Sequence, residues 1–462
     1  MKIKRFISAI LVLGAVLATQ SVSAQLKTSY FMEGSYFRTD MNPALVPTRG
    51  YLGISPYSGY TFGNYSNYTS NMMYYRNGEY VDAYSPLVSP SEFLGKLPNK
   101  CTQVYNLDAN ILKVGFYTLE GAFWNFGSNF RLTIDSSTPK EYYKMLKNDY
   151  AEGTTAENIR LSCNAYLENY IGRTFRLGEN ITMGARLKFL VGLYNMEVDI
   201  NQISASNNQF YVDGQMKMAS IFFDSSRYDG EVFPEVMNSE STGSVLDNVK
   251  SFGGAIDLGA EVRLLDNHLK VSGAITDLGF IKWSENTMLE GSVTASYGDK
   301  SDVDNILNII DEDVMEMPRF FSDYTTRLAT NINIGAEYNF LRNHFSVGAL
   351  SQTRILHGAL MTEFTASFNV RPTNWMSLTA SHTFLNGNVP GVYGLAVNLH
   401  PRAINIFVGL DYITGDIEDA YGNLLPSMIS LDNIGYRTSN SCNLYFGVGF
   451  NFGRPDFLIN QD

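Results

Sequence analysis

The sequence predicts an all-β fold: a transmembrane antiparallel β-barrel of about fourteen strands, with a short N-terminal plug and helical loop insertions. Three observations carry this expectation. Long stretches alternate apolar and polar residues, and a period of two puts successive side chains on opposite faces of a pleated strand. Tight turns alternate with long connections along the chain. An N-terminal export pattern is followed by no further run of about twenty apolar residues, so the mature chain crosses a membrane as a closed barrel or not at all.

The clearest alternation lies in a hairpin over residues 159–193, turning at Gly178-Glu179-Asn180. Before the turn, Ile159, Leu161, Cys163, Ala165, Leu167, Ile171, Phe175 and Leu177 share one face, broken by Asn169 and Arg173. After it, Ile181, Met183, Ala185, Leu187 and Phe189 alternate with Thr182, Gly184, Arg186 and Lys188. Both strands exceed the usual soluble length, and one face is apolar while the other carries charge. Further strands repeat the pattern. Ile256, Leu258, Ala260, Val262 and Leu264 share a face, as do Leu328, Ile332, Ile334, Ala336, Tyr338 and Phe340. The last strand carries Leu444, Phe446, Val448, Phe450 and Phe452.

Lys2, Lys4 and Arg5 precede an apolar run over residues 6–18, and Val22-Ser23-Ala24 offers small residues for cleavage before Gln25. Residues 1–24 therefore read as a cleaved signal peptide. The 462 residues include 29 Tyr and 29 Phe, and only 17% are charged, as suits aromatic girdles around an apolar band. The net charge of -12 argues against a nucleic-acid partner, which needs a basic face. Cys101, Cys163 and Cys442 allow at most one internal disulfide and lack paired spacing for zinc.

Residues 25–50 show little alternation and contain Asn42, Pro43, Ala44 and Pro47. Two prolines and an Asn-Pro step disfavour both helix interior and central strand. This segment reads as a plug, followed by the barrel over residues 51–453 and a tail over 454–462. Short turns fall at 119–121, 178–180, 265–267, 341–343, 372–374 and 400–402. Long connections cover 61–105, 135–158, 204–252, 277–324 and 414–441, with brief ones at 355–357 and 386–391. The alternation puts the tight turns in the periplasm and the longer loops outside. Residues 209–220 read as a strand in the outer extension of their loop. Thr138-Pro139-Lys140-Glu141 starts a helix, with Thr138 as N-cap and Tyr143, Leu146 and Tyr150 on one face. Val303, Ile306, Leu307 and Ile310 suggest a second helix.

The polar strand face supplies candidate lumen charges: Glu168, Arg186, Lys188, Asp257, Glu261, Arg327, Glu337 and Arg371. Their mixed signs predict pairing across strands or with the plug. No catalytic, cofactor-binding or metal-binding set stands out, and the chain does not read as an enzyme. Its five histidines lie near different strand ends, and the adjacent Ser381 and His382 point to opposite faces.

The stretch around Asn42-Pro43-Ala44-Leu45 resembles the N-terminal hatch of FadL-type outer-membrane barrels and a motif of the secretion-associated barrels of Bacteroidota. Several other stretches resemble an uncharacterised Bacteroidota family of outer-membrane β-barrels, a domain-of-unknown-function family. They are Tyr166-Leu167-Glu168, residues 184–192, the run from Asp277, Leu278 and Gly279 to Trp283, and residues 446–453. That family implies an outer-membrane location and supplies no activity to carry over. The FadL-type likeness implies passage or handling of a small, hydrophobic molecule through a plugged barrel. Outer-membrane lipid and such a ligand are then the expected partners. The alternative is a structural or interaction barrel partnering a secretion or surface-display protein.

Topology is testable at this level. A tag between residues 302 and 311 should be reached by antibody on intact cells, whereas one at Gly178-Glu179 should not. Reversed labelling would overturn the sidedness.

Overall fold

The computed structural model describes residues 27–453 apart from 149–152, 207–208, 222–248, 285–286, 297–318, 321–322, 357–359, 385–390 and 415–440. The expected signal peptide, the helix expected at 303–310 and the expected tail lie outside these residues.

Among the described residues, one antiparallel sheet closes on itself. Its nineteen ladder segments fall into fourteen wall strands once collinear segments are joined. Strand β1 comprises Gly50–Ile54 and Tyr60–Ser66, and β2 is Lys100–Tyr117. Next come β3 (Phe123–Pro139), β4 (Thr154–Leu177) and β5 (Ile181–Ser206). Strand β6 comprises Gln209–Ser220 and Phe252–Leu264, and β7 comprises Leu269–Trp283 and Thr287–Ser296. Strand β8 is built from Arg319–Phe320, Tyr324–Arg327 and Thr330–Phe340. The rest are β9 (Phe345–Ile355), β10 (Leu360–Thr373), β11 (Met376–Phe384), β12 (Val392–Leu399), β13 (Ile404–Thr414) and β14 (Ser441–Phe452). Closure comes from β14 on β1, with Gly50 opposite Phe452 and Tyr60 opposite Phe446. A closed barrel leaves no sheet edge to satisfy in lipid.

Strand β5 explains the composite neighbours. Its first half pairs with Phe252–Leu264 and its second half with Gln209–Ser220, which in turn pairs with Thr287–Ser296. Residues 209–220 thus extend the wall itself. Other strands also outrun the boundaries read from sequence. Cys101, Thr102 and Gln103 pair with Thr138, Ser137 and Ser136, inside stretches expected to be connections. Strand β7 runs past Asp277 to Trp283 and beyond. Alternation is imposed by an apolar solvent on one face, so the signal fades where the ladder leaves that solvent while its hydrogen bonds continue.

Helix Lys140–Lys147 starts one residue later than expected. Thr138 stays in the β3 ladder opposite Cys101, and Pro139 occupies the N-cap without a side-chain bond. A second helix, Pro90–Lys96, is capped by Ser89, whose hydroxyl accepts from the Glu92 amide at 3.2 Å. Phe93 and Tyr143 bring the two helices together over Tyr68, Tyr74 and Val88, forming a small core in the long connections. No helix among the described residues is long and apolar enough to cross a membrane.

The outward faces are apolar. Leu187, Phe189, Ile334 and Phe450 are each more than half exposed, at 62%, 54%, 59% and 60%. Such a continuous exposed apolar surface belongs in lipid, not water. Leu187→Arg should therefore impair assembly by about 2–4 kcal/mol, while Leu177→Arg, beside the tight turn, should cost about 0–1 kcal/mol. Folded fraction in a urea titration in lipid vesicles checks this; equal losses would refute the placement of the band.

Candidate functional site in the barrel lumen

The lumen is occupied by the N-terminal segment. From Lys27 to Pro47 almost every residue is buried, in two single-turn helices, Thr28–Phe31 and Arg38–Met41, joined by turns. Tyr36 stacks on Tyr51 of β1 at 4.7 Å between ring centroids, and Phe37 lies 4.3 Å from Phe407 of β13. Around this aromatic centre the contacts turn polar. Asn405 and Asn333 donate to the carbonyls of Gly34 and Met41, and the Tyr117 hydroxyl donates to Pro47. These wall side chains satisfy backbone groups that the segment's lack of regular structure leaves unpaired.

Asn42, Pro43 and Ala44 form the tightest fit. The Asn42 side chain accepts from the Ala44 amide at 2.9 Å and donates to the carbonyls of Ala260 and Gly273. Thr174 donates to the Pro43 carbonyl at 2.7 Å. Opposite them, Gly184 of β5 and Gly259 of β6 are paired neighbours. A Cβ at Gly184 would meet the Pro43 carbonyl oxygen at 2.3 Å, and one at Gly259 would meet Asn42 Oδ1 at 2.1 Å. At Gly184 backbone approaches backbone, and at Gly259 the Asn42 and Pro43 side chains fill the place of a Cβ.

Seven of the eight candidate charges point inward, and six of them fall into two clusters. In the first, Lys188 Nζ lies 2.5 Å from Asp277, 2.9 Å from Asp257 and 3.3 Å from Glu168. Arg131 bridges Glu168 at 3.0 Å and Asp277 at 3.6 Å. Arg186 reaches Asp257 at 3.7 Å and Asp40 of the segment at 3.2 Å, and Lys113 also contacts Asp40. Four cations thus meet four carboxylates with no charge left over. In the second cluster Arg371 binds Glu337 at 2.5 Å and lies 3.6 Å from Glu33 of the segment, which Lys270 also contacts. Glu261 pairs separately with Arg263 at 2.9 Å. Lys27 and Glu363, 2.7 Å apart, are buried beyond these. Burial pushes the Asp40 carboxyl up, but Lys113 and then Arg186 more than offset this and hold it below its ordinary value. Glu33 is likewise pulled well below the usual range against burial, by Arg371 and then Lys270.

Arg327 is the exception. Its side chain is exposed and it pairs across to Phe280 on the outward face. The β8 ladder breaks at Leu328-Ala329, and the alternation inverts across the break: Thr326 and Leu328 are buried before it, Asn333 and Glu337 after it. The same break turns Leu328, expected in the apolar outer face, inward to join Trp283 and Ile281. Sequence reasoning missed Lys113, Arg131, Lys270, Glu33 and Glu363. Arg131 was legible, since it occupies the position between Phe130 and Leu132. Lys113 was not, because a register shift between Asn110 and Leu112 precedes it.

The run from Asp277 to Trp283 also acquires a structural meaning. Between Ile256 and Leu258 of β6 the pairing shifts, so Thr276 and Asp277 together oppose Asp257. Asp277 sits in the left-handed region at φ 61°, which Asp tolerates better than most residues. This bulge aims its carboxylate at Lys188 and its amide at Asp257 Oδ1, 2.8 Å away. Leu278 then faces outward. A Cβ at Gly279 would meet the Gly254 carbonyl oxygen at 2.3 Å. Trp283 is buried and donates to Thr326 at 2.8 Å.

Beside the segment lies a cavity of about 110 Å³, bordered by Asp40, Asn106, Asp108, Arg131, Asn331 and Arg354 among others. Its walls are mostly amide and charge. Cys101 and Cys163 are free thiols, and the side chain of Cys442 lies outside the described residues.

A closed barrel with an apolar exterior and an ionic interior defines a transmembrane β-barrel, here with its N-terminal segment inside the lumen. The chain belongs to the family described as "Family of unknown function (DUF5723)", whose profile matches residues 43–411. No curated protein matches significantly. Among solved structures, the chain is similar to the Pseudomonas putida toluene transporter TodX, with 8% identity, TM-score 0.40, and 88% and 90% of the two chains covered. It is similar to a Pseudomonas aeruginosa FadL homologue at 10% identity and TM-score 0.38, over 93% and 98%. The CymD monoaromatic hydrocarbon channel aligns at 9% and 0.40, over 90% and 93%.

The network predicts a specific vulnerability. Lys188→Met removes the centre of three carboxylates and should destabilise the barrel by about 3–5 kcal/mol, the cost of stranding buried charge. Combining it with Asp257→Leu should recover part of the loss. The temperature at which heat-modified mobility is lost reads both, and an unaffected single variant would sink the assignment.

Proposed function

We propose that this protein is an outer-membrane barrel that handles the passage of a small molecule past a docked N-terminal segment. The observation that supports this most is how the segment is held. Its ties to the wall combine an aromatic centre around Tyr36 and Phe37 with a rim of ion pairs and single hydrogen bonds made by Lys27, Glu33, Asp40 and Asn42. Water and a polar solute can compete for the rim's hydrogen bonds and ion pairs, which leaves the aromatic centre as the part that must shift as a unit. The adjoining cavity has polar walls, which favours a polar molecule over the hydrophobic one that the FadL-type likeness implied. The outer-membrane location rests on the closed barrel and its apolar exterior.

A second reading is a partner for a secretion or surface protein. It is favoured by the length of β4 and β5, 24 and 26 residues, beyond what an apolar band requires. Affinity purification from the native membrane tests it.

Deleting residues 28–47, with the export signal kept, should leave a heat-modifiable barrel that conducts more ions in planar bilayers than the intact protein. The milder pair Glu33→Gln and Asp40→Asn should raise the frequency of open events without deletion. Equal conductance from intact and deleted barrels would show that the segment is no plug, and the interaction reading would move ahead.

A further inference from the structure

Two charges bordering the cavity, Arg354 and Asp108, form no ion pair among the described residues. Arg354 of β9 is more than nine-tenths buried. Its Nη2 donates to Asn106 at 2.7 Å, but its Nε is buried with no partner. Across the cavity stands Asp108 of β2, half-buried, with no hydrogen bond or ion pair among the described residues. The two feel each other electrostatically without closing to ion-pair distance, Arg354 more weakly than it feels Asp135 and Asp108 more weakly than it feels Arg131. The other bordering charges are accounted for. Asp40, Arg131 and Asp277 belong to the balanced cluster, Asp135 and Glu197 have partners of their own, and Arg327 carries its side chain outward. Two further acceptors, Asn129 Oδ1 and Gln352 Oε1, are buried without donors.

A buried guanidinium with one N–H unused and a half-buried carboxylate without an ion-pair partner leave bonding capacity facing the cavity. They complement a molecule that brings one negative and one positive group. We propose that the cavity is a binding site for a small zwitterion of the α-amino-acid class, its carboxylate on Arg354 and its ammonium on Asp108, Asn129 and Gln352. Guanidinium suits a planar carboxylate, and an ammonium donates three bonds to acceptors of this kind. The volume of about 110 Å³ fits this class and falls well short of the roughly 300–1,000 Å³ of sites for drug-sized ligands. This assignment deepens the passage reading, on which it rests for its physiological meaning.

The test is equilibrium binding of L-alanine to the full-length protein in detergent micelles by titration calorimetry, with acetate, methylammonium and glycerol as matched probes. Alanine should bind, and each of the other three should bind at least tenfold more weakly. Arg354→Gln and Asp108→Asn should each weaken alanine at least tenfold while keeping heat-modifiable mobility. If Arg354→Gln does not fold, Asp108→Asn decides, because Asp108 has no bond to lose. Absence of alanine binding, equal binding of acetate or glycerol, or affinity untouched by Asp108→Asn would each overturn the site. The measurement involves no flux. Its failure leaves passage standing, whereas unchanged conductance on deleting residues 28–47 removes passage and leaves the site.

Discussion

The rest of the structure depends on a charge-balanced ion network buried in the barrel wall. Lys188 and Arg186 of β5, Arg131 of β3 and Lys113 of β2 face Glu168 of β4, Asp257 of β6, Asp277 of β7 and Asp40 of the N-terminal segment. Each ion is costly to bury alone, and the set is tolerable because every charge meets an opposite one. This ties six consecutive wall strands to one another and to the segment inside them. Geometry follows from the same demand. The bulge at Asp277, with its left-handed backbone, brings a carboxylate where the Lys188 ammonium needs it.

A barrel of this strand number encloses more space than its inward side chains fill. Here the filling comes from the chain's own beginning, and the wall is shaped to receive it. Glycines at Gly184 and Gly259 admit the Asn42-Pro43-Ala44 turn, while Gly335 and Gly348 lie against Tyr30 and Phe31. Aromatic packing at the centre and ionic contacts at the rim divide the work. Tyr36, Phe37 and Phe407 exclude water, and Glu33 and Asp40 fix orientation. Among the described residues the segment joins the wall covalently only at its entry into β1 and adds no strand to the sheet.

The polar character of the remaining lumen bears on what the barrel can admit. A solute entering the cavity meets amides and charges first, and an apolar one would displace water from them without replacing its hydrogen bonds. Asp108 and Arg354, which form no ion pair among the described residues, add to that discrimination, because the network's own charges are already spent on one another.

The sequence by itself determined the barrel, its tight turns and which face of most strands meets lipid. Leu187 and Lys188 went to opposite sides as their alternation required, and the Gly178-Glu179-Asn180 turn joins β4 to β5. Face assignment is local: a period of two needs only neighbouring residues. What meets what was decided by the tertiary structure alone. Asp40 finds Lys113 and Arg186 only because the sheet closes around the segment that carries it. Arg327 left the lumen, and Asp277 entered it, because the ladder is interrupted at Leu328-Ala329 and bulged at Thr276-Asp277. Such irregularities are properties of two paired strands at one register. A single strand's pattern of apolar and polar residues carries no information about where its partner will slip.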